Sequence, residues 1–81
     1  MSRTLKSPRH EALRAFLVAR RKKAGLTQVA VAKKLGRHQS FIATVESGQR
    51  RIDAVELFDF AEAMNFDPRD ALKAMAAARR G

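Results

Sequence analysis

Apolar residues recur at three- and four-residue spacing along most of the chain, the period of helices that bury one face. Leu13, Phe16 and Leu17 form the first such stripe. Val31, Ala32 and Leu35 form the second, and Phe41, Ile42 and Val45 the third. Ala54, Leu57, Phe60, Ala61 and Met64 form the fourth; Ala71, Leu72, Met75 and Ala78 form a thinner fifth. Val55 and Phe58 lie off the fourth stripe and either widen the core face or make a contact patch. Start and stop residues bracket these stripes. Ser7-Pro8, Thr27, Asp53 and Asp67-Pro68 are N-caps, and Glu56 stands three residues after Asp53, the spacing of a capping box. Gly25, Gly36, Gly48 and Asn65 are stops that tolerate a left-handed backbone. Phe66 is then free to pack back on the core. The pattern predicts an all-α, compact fold of five helices, the last running to about Arg79.

The third helix, roughly His38 to Ser47, has two chemically different faces. Wound at ~100° per residue, Gln39, Ala43, Ser47, Ser40 and Thr44 share one arc. Phe41, Val45 and Ile42 fill the other. Ile42 and Val45 belong to the core. Phe41 either shields the crevice between the second and third helices or is partly exposed. Neither Arg37 nor His38 is a favoured cap, so the entry to this helix is not set by a side-chain cap. About four residues, around Leu35-Gly36-Arg37, separate it from the second helix, as a helix-turn-helix requires. Residues 26–51 are therefore read as a helix-turn-helix, the motif itself covering about 27–47.

Charge sharpens this reading. The chain of 81 residues carries a net charge of +9. Residues 1–51 hold 13 Lys/Arg and 2 Asp/Glu, whereas residues 52–81 hold 4 and 6. So one-sided a field draws a polyanion to the part that holds the motif, nucleic acid first among candidates. A solvated basic surface is the alternative. Met1–Lys6 has no periodicity and reads as a basic N-terminal arm, with 7–81 as the helical domain. The run Arg20-Arg21-Lys22-Lys23 suits a helix C-terminus as much as a ligand.

Other chemistries find little support. Cysteine is absent, which leaves no disulfide or thiolate metal site and is compatible with a reducing compartment. His10 and His38 are far apart, with no carboxylate pair at ligand spacing, so no metal is expected. Ser40 lacks a strand-turn-helix elbow, and no glycine-rich phosphate loop occurs. The apolar run Ala15–Ala19 is too short for a membrane span. No enzyme activity and no cofactor are expected.

A major groove admits one helix and offers patterned donors and acceptors. Gln39 can pair bidentately with adenine, and Ala43 and Thr44 carry methyl groups that can meet a thymine methyl. Ser40 lies on the same arc. Gln28 and Gln39 open helices whose free N–H groups suit phosphate. Lys33, Lys34, Arg37, Arg50 and Arg51 add phosphate charge, which sets affinity and register rather than sequence. For the two lysines, plain solvation is an equal alternative.

Arg21, Gly25-Leu26-Thr27-Gln28, Ala32, Leu35-Gly36, Gln39-Ser40, Ile42, Val45-Glu46 and Gly48 together resemble the lambda-repressor-like, Cro/repressor (XRE-type) helix-turn-helix family. The resemblance runs from about Leu13 to Leu72. It implies a five-helix fold whose third helix reads the major groove of double-stranded DNA. It places Gln28 on a phosphate while touching the first residue of the third helix, with Thr27 beside it. It makes Arg21 and Glu46 a structural ion pair outside the reading face. Many relatives carry Ser and then a cation where Ala43 and Thr44 stand, and Ser, Thr or Pro where His38 stands. The implied function is a sequence-specific transcriptional regulator, a repressor, acting as a homodimer in a bacterial or phage cytoplasm. The alternative is an antitoxin or adaptor on the same fold, with a toxin or another regulator as protein partner.

Overall fold

The computed structural model describes residues 7–78; Met1–Lys6 and the expected end of the last helix at Arg79 lie outside the described residues. Five helices follow one another: α1 (Pro8–Lys23), α2 (Gln28–Leu35), α3 (Gln39–Glu46), α4 (Ala54–Met64) and α5 (Pro68–Ala77). No strand occurs among the described residues. None of their helices is long and apolar enough to cross a membrane.

Four helix starts are fixed by the expected side chains. Ser7 Oγ accepts the His10 N–H at 3.1 Å, and Thr27 Oγ1 accepts the Ala30 N–H at 3.0 Å. Asp53 accepts the Glu56 N–H at 2.7 Å while the Glu56 carboxylate accepts the Asp53 N–H at 2.9 Å, a complete capping box. Asp67 accepts the Arg69 N–H at 2.9 Å. Such a cap stabilises a helix by about 1 kcal/mol. The start of α3 has none: the His38 side chain makes no cap bond. The first four helices end alike. An N–H returns to the carbonyl five residues earlier, from Leu26 to Arg21, Arg37 to Ala32, Gln49 to Thr44 and Phe66 to Ala61. That closure needs a left-handed residue, supplied in α4 by Asn65 at φ 57°.

The stripes meet in one core. Leu17, Val31, Ile42 and Phe60 are its fully buried centre. Val45, Leu57, Ala61, Met64 and Ala71 surround them, with Leu13, Phe16, Leu26, Leu35 and Phe41 partly buried at the edge. Ala32 is nearly sealed where α2 meets its neighbours. Phe66 folds back as expected and meets Phe16 edge-on, centroids 5.1 Å apart. Beside them Arg20 lies over the Phe16 ring and bonds Asp70 at 3.2 Å, tying α1 to α5.

Several expectations need correction. Ala54 continues the stripe of α4 but is exposed, because the first residue of the helix projects past the edge of the core. Leu72 is 53% exposed, since α5 turns Ala71, Ala74 and Met75 inward and Leu72 sits ~100° round from Ala71. Helix α5 ends at Ala77, and Ala78 is already extended at ψ 146°. Its last alanines, Ala76 and Ala77, are exposed and have no core to cover. Helix α3 spans Gln39–Glu46, one residue shorter at each end than its pattern, because His38 and Ser47 act as its caps. His10 is buried although its sequence position gave no sign of it.

Candidate nucleic-acid interface

Helices α2 and α3 pack through Val31, Ala32, Ile42 and Val45, which turns their remaining faces outward. Both helices open with a glutamine, and the fold brings the two together: Gln39 Nε2 donates to Gln28 Oε1 at 2.7 Å. The bond is the outer end of a relay. Gln28 Nε2 donates to Glu46 Oε1 at 2.9 Å. Glu46 accepts Arg21 Nε at 2.6 Å and Arg21 Nη2 at 3.0 Å. Arg21 Nη1 closes the inner end on the Leu26 carbonyl at 2.9 Å. The Arg21 and Glu46 side chains are only 14% and 9% exposed. Hydrogen bonding to Glu46 raises the Arg21 pKa above its ordinary value, against the opposing pull of burial and with help from the Glu46 charge.

This relay dictates amide orientation. A carboxylate only accepts, so Gln28 must offer it the amide nitrogen. Gln28 then shows its carbonyl to Gln39, which must answer with its own nitrogen. Gln39 is left with one N–H and its carbonyl for an outside partner. The Glu46 backbone is held as well, its carbonyl accepting Arg14 Nη1 at 2.9 Å, a contact that no sequence signal announced.

The other residues of the expected reading arc differ in what they offer. Ser40 is exposed. Ala43 and Thr44 are half-buried. Thr44 Oγ1 donates to the Phe41 carbonyl at 2.9 Å and Ser47 Oγ to the Thr44 carbonyl at 3.1 Å, so both hydroxyl protons are spent within α3. Thr44 retains an acceptor and a methyl. Thr27, used as a cap through its oxygen, retains its hydroxyl proton.

Among the candidate phosphate ligands, Lys33 and Lys34 are exposed in the last turn of α2. Arg51 is exposed and reaches Ser7 Oγ at 3.5 Å. Arg37 and Arg50 are drawn instead into a cluster that the sequence did not disclose. Arg50 donates from Nη1 and Nη2 to the two oxygens of Glu56, both at 3.1 Å, and Arg37 Nη1 lies 3.4 Å from the same carboxylate. Both guanidiniums also lie over the Phe41 ring, at 3.7 Å for Arg37 and 4.8 Å for Arg50. The hydrogen bond from Arg50, then that from the Asp53 backbone, the Arg50 charge and Arg37 hold the Glu56 carboxyl below its ordinary pKa, against the effect of burial. The only available signal was the Asp53/Glu56 capping pattern, which explains Glu56 without its arginines. Among the described residues no group of three His, Cys, Asp or Glu could hold a metal ion.

The sequence pattern of the helix-turn-helix domain family matches residues 12–78. The fold is similar to that of an XRE-family like protein from Pseudomonas syringae pv. tomato (TM-score 0.79, 39% identity, covering 85% of this chain and 84% of that one). It is also similar to the restriction-modification controller protein C.AhdI from Aeromonas hydrophila (TM-score 0.71, 29% identity, 76% and 94% covered). The clp gene regulator ClgR from C. glutamicum shares the fold at 24% identity (TM-score 0.77, 84% and 88% covered). No curated protein sequence matches the chain significantly. With more than three-quarters of its length matched and an XRE-family structure 39% identical, the chain belongs to the XRE-type helix-turn-helix domain family.

Proposed function

We propose that the protein is a sequence-specific double-stranded-DNA-binding transcriptional regulator, a repressor, that inserts α3 into the major groove. The observation that carries the reading is Gln39. It is exposed at the uncapped start of α3 and oriented from behind by Gln28, Glu46 and Arg21. Its free carbonyl can accept from adenine N6–H while its free N–H donates to adenine N7. Ser40, Ala43 and Thr44 complete the reading surface. Thr27, Gln28, Lys33, Lys34, Arg37, Arg50 and Arg51 contact phosphate. The basic half of the chain and the restriction-modification controller protein among its structural neighbours support the same reading.

Selection of bound duplexes from a random pool, followed by gel shift at increasing salt, tests it. Affinity should fall steeply with salt, and the selected sites should show two-fold symmetry with half-sites ~34 Å apart, as a homodimer requires. Gln39→Ala should weaken specific binding more than non-specific binding; equal losses would remove its base-reading role. A protein partner such as a toxin is the second reading. It is favoured by the exposed apolar pair on α4, Val55 at 71% and Phe58 at 60%. Co-purification of a different protein in preference to DNA would support it.

A further inference from the structure

We propose that Glu56 is a positioning residue for the DNA backbone, holding Arg37 and Arg50 together as a preset phosphate-binding pair. The inference rests on the DNA-binding reading above and deepens it.

The two arginines lie on opposite sides of α3 in the chain, Arg37 in the turn before it and Arg50 in the loop after it. Left alone, two long cationic side chains would repel each other and sample many rotamers. Glu56 and Phe41 prevent both. The Glu56 carboxylate reaches both guanidiniums, and the Phe41 ring offers one aromatic surface to both. Glu56 is itself fixed, because one oxygen also accepts the Asp53 N–H in the capping box. The anchor therefore belongs to the rigid start of α4.

Exposure gives the arrangement its direction. The Glu56 side chain is 17% exposed, against 41% for Arg37 and 42% for Arg50. The carboxylate is thus the inner partner and the guanidiniums face out. They keep N–H groups for an outside anion. Arg50 spends both Nη1 protons, on Glu56 and the Arg51 carbonyl, and one Nη2 proton, which leaves Nε–H and the second Nη2 proton. Arg37 spends one. Two neighbouring guanidiniums with unspent N–H groups present several donors to a phosphodiester. Their order is set before DNA arrives, so less rotamer freedom is lost on binding.

Glu56→Gln makes the proposal falsifiable through the sign of its effect. The change makes the protein more positive and keeps a residue that can complete the capping box. If Glu56 were only a negative charge near DNA, the variant would bind duplex more tightly. Glu62→Gln, at an exposed position on the same helix, measures that charge effect alone. If Glu56 positions the arginines, Glu56→Gln binds about three- to tenfold more weakly, from the re-ordering of one or two long side chains. The loss should be equal on selected and scrambled duplexes, since phosphate contacts carry no sequence information. Arg50→Lys keeps the charge but loses the two-pronged bond, and should weaken binding similarly. Gel shift at fixed salt reads all four proteins, with circular dichroism confirming that each is folded. Equal or tighter binding by Glu56→Gln, or unchanged binding by Arg50→Lys, overturns the proposal while leaving the DNA-binding reading intact. A wild-type protein that binds no duplex overturns both.

Discussion

Replacing Glu46 with alanine removes the one group that three parts of the fold share. Arg21 of α1 loses both its carboxylate contacts, and Gln28 of α2 loses the acceptor for its amide. What remains is a guanidinium 14% exposed with its charge unpaired. Removing one partner of a fully buried pair costs about 3–5 kcal/mol. The residual exposure and the surviving bond from Arg21 to the Leu26 carbonyl put this case near the lower end, about 3 kcal/mol. A domain of this size is stable by roughly 4–12 kcal/mol in total. The loss should lower the melting temperature by about 12–24 °C. Urea unfolding measures it directly, and an unchanged m-value would show that the native state is what lost stability.

The double variant Arg21→Met/Glu46→Leu separates stability from reading. Apolar residues of similar volume remove both charges and should restore stability to within about 1 kcal/mol of wild type. The relay stays broken, however. Gln28 has no carboxylate to fix its amide, and Gln39 can turn either end outward. A folded, stable double variant should therefore discriminate its selected site from a scrambled duplex less well, by about tenfold, within the ~1–3 kcal/mol that a bidentate glutamine contributes. A loss below ~1 kcal/mol in the single variant would refute the buried-pair argument. A double variant as unstable as the single would refute it too. A stable double variant with wild-type discrimination would refute the orienting role of the relay.

Two glycines should respond differently to alanine. At Gly36, φ is +67° and an added Cβ meets nothing within 4 Å, so only backbone strain of about 1–2 kcal/mol is expected in urea unfolding. At Gly48, φ is +85° and the Cβ would stand 3.2 Å from Arg14 Cδ, so Gly48→Ala should cost more and disturb the Arg14 bond to the Glu46 carbonyl. Asp53→Ala should cost about 1–2 kcal/mol by opening the capping box, readable as a lower urea midpoint with unchanged m. Glu56 should make stability depend on acid pH. Its carboxyl is held below the ordinary 4.5, chiefly by Arg50, so the folded state favours the ionised form. That contribution is complete above about pH 4.5 and is lost as pH falls through the lower, folded-state value. The urea midpoint of wild type should therefore drop more below pH 4.5 than that of Glu56→Gln. Asp67, also held low by Arg69, titrates in both proteins and cancels from the comparison.

The parts of this molecule legible in the sequence are those governed by neighbours two to five residues away. Ser7, Thr27, Asp53 and Asp67 cap the helices they precede because each bond spans two or three residues. Asn65 adopts the left-handed backbone expected of it, and Ile42 and Val45 are buried as their spacing requires. Periodicity reports direction around a helix but not how far along it the core extends. Ala54 departs from its stripe for that reason, past the end of the core, whereas Leu72 departs because the thin stripe of α5 left its inward direction open between Ala71 and Leu72. Long side chains that reach across elements escape periodicity altogether. Arg37 and Glu56 are 19 residues apart, and Arg14 and Glu46 backbone 32 apart, with no spacing rule to join them. The Arg21–Glu46 pair, 25 residues apart, was accessible only through family resemblance. The consequence for the interface is specific. Sequence supplied the cations Lys33, Lys34, Arg37, Arg50 and Arg51 by charge, with plain solvation an equal alternative for the two lysines. The structure divides them into the exposed Lys33, Lys34 and Arg51, and Arg37 and Arg50, which are already bonded to the Glu56 carboxylate. Free lysines contribute to affinity mainly through charge, whereas arginines ordered in advance also limit the angle at which a phosphate can approach. Under the proposed function, the same net charge would therefore support two kinds of contact, one that attracts the duplex and one that sets the register of α3 against it.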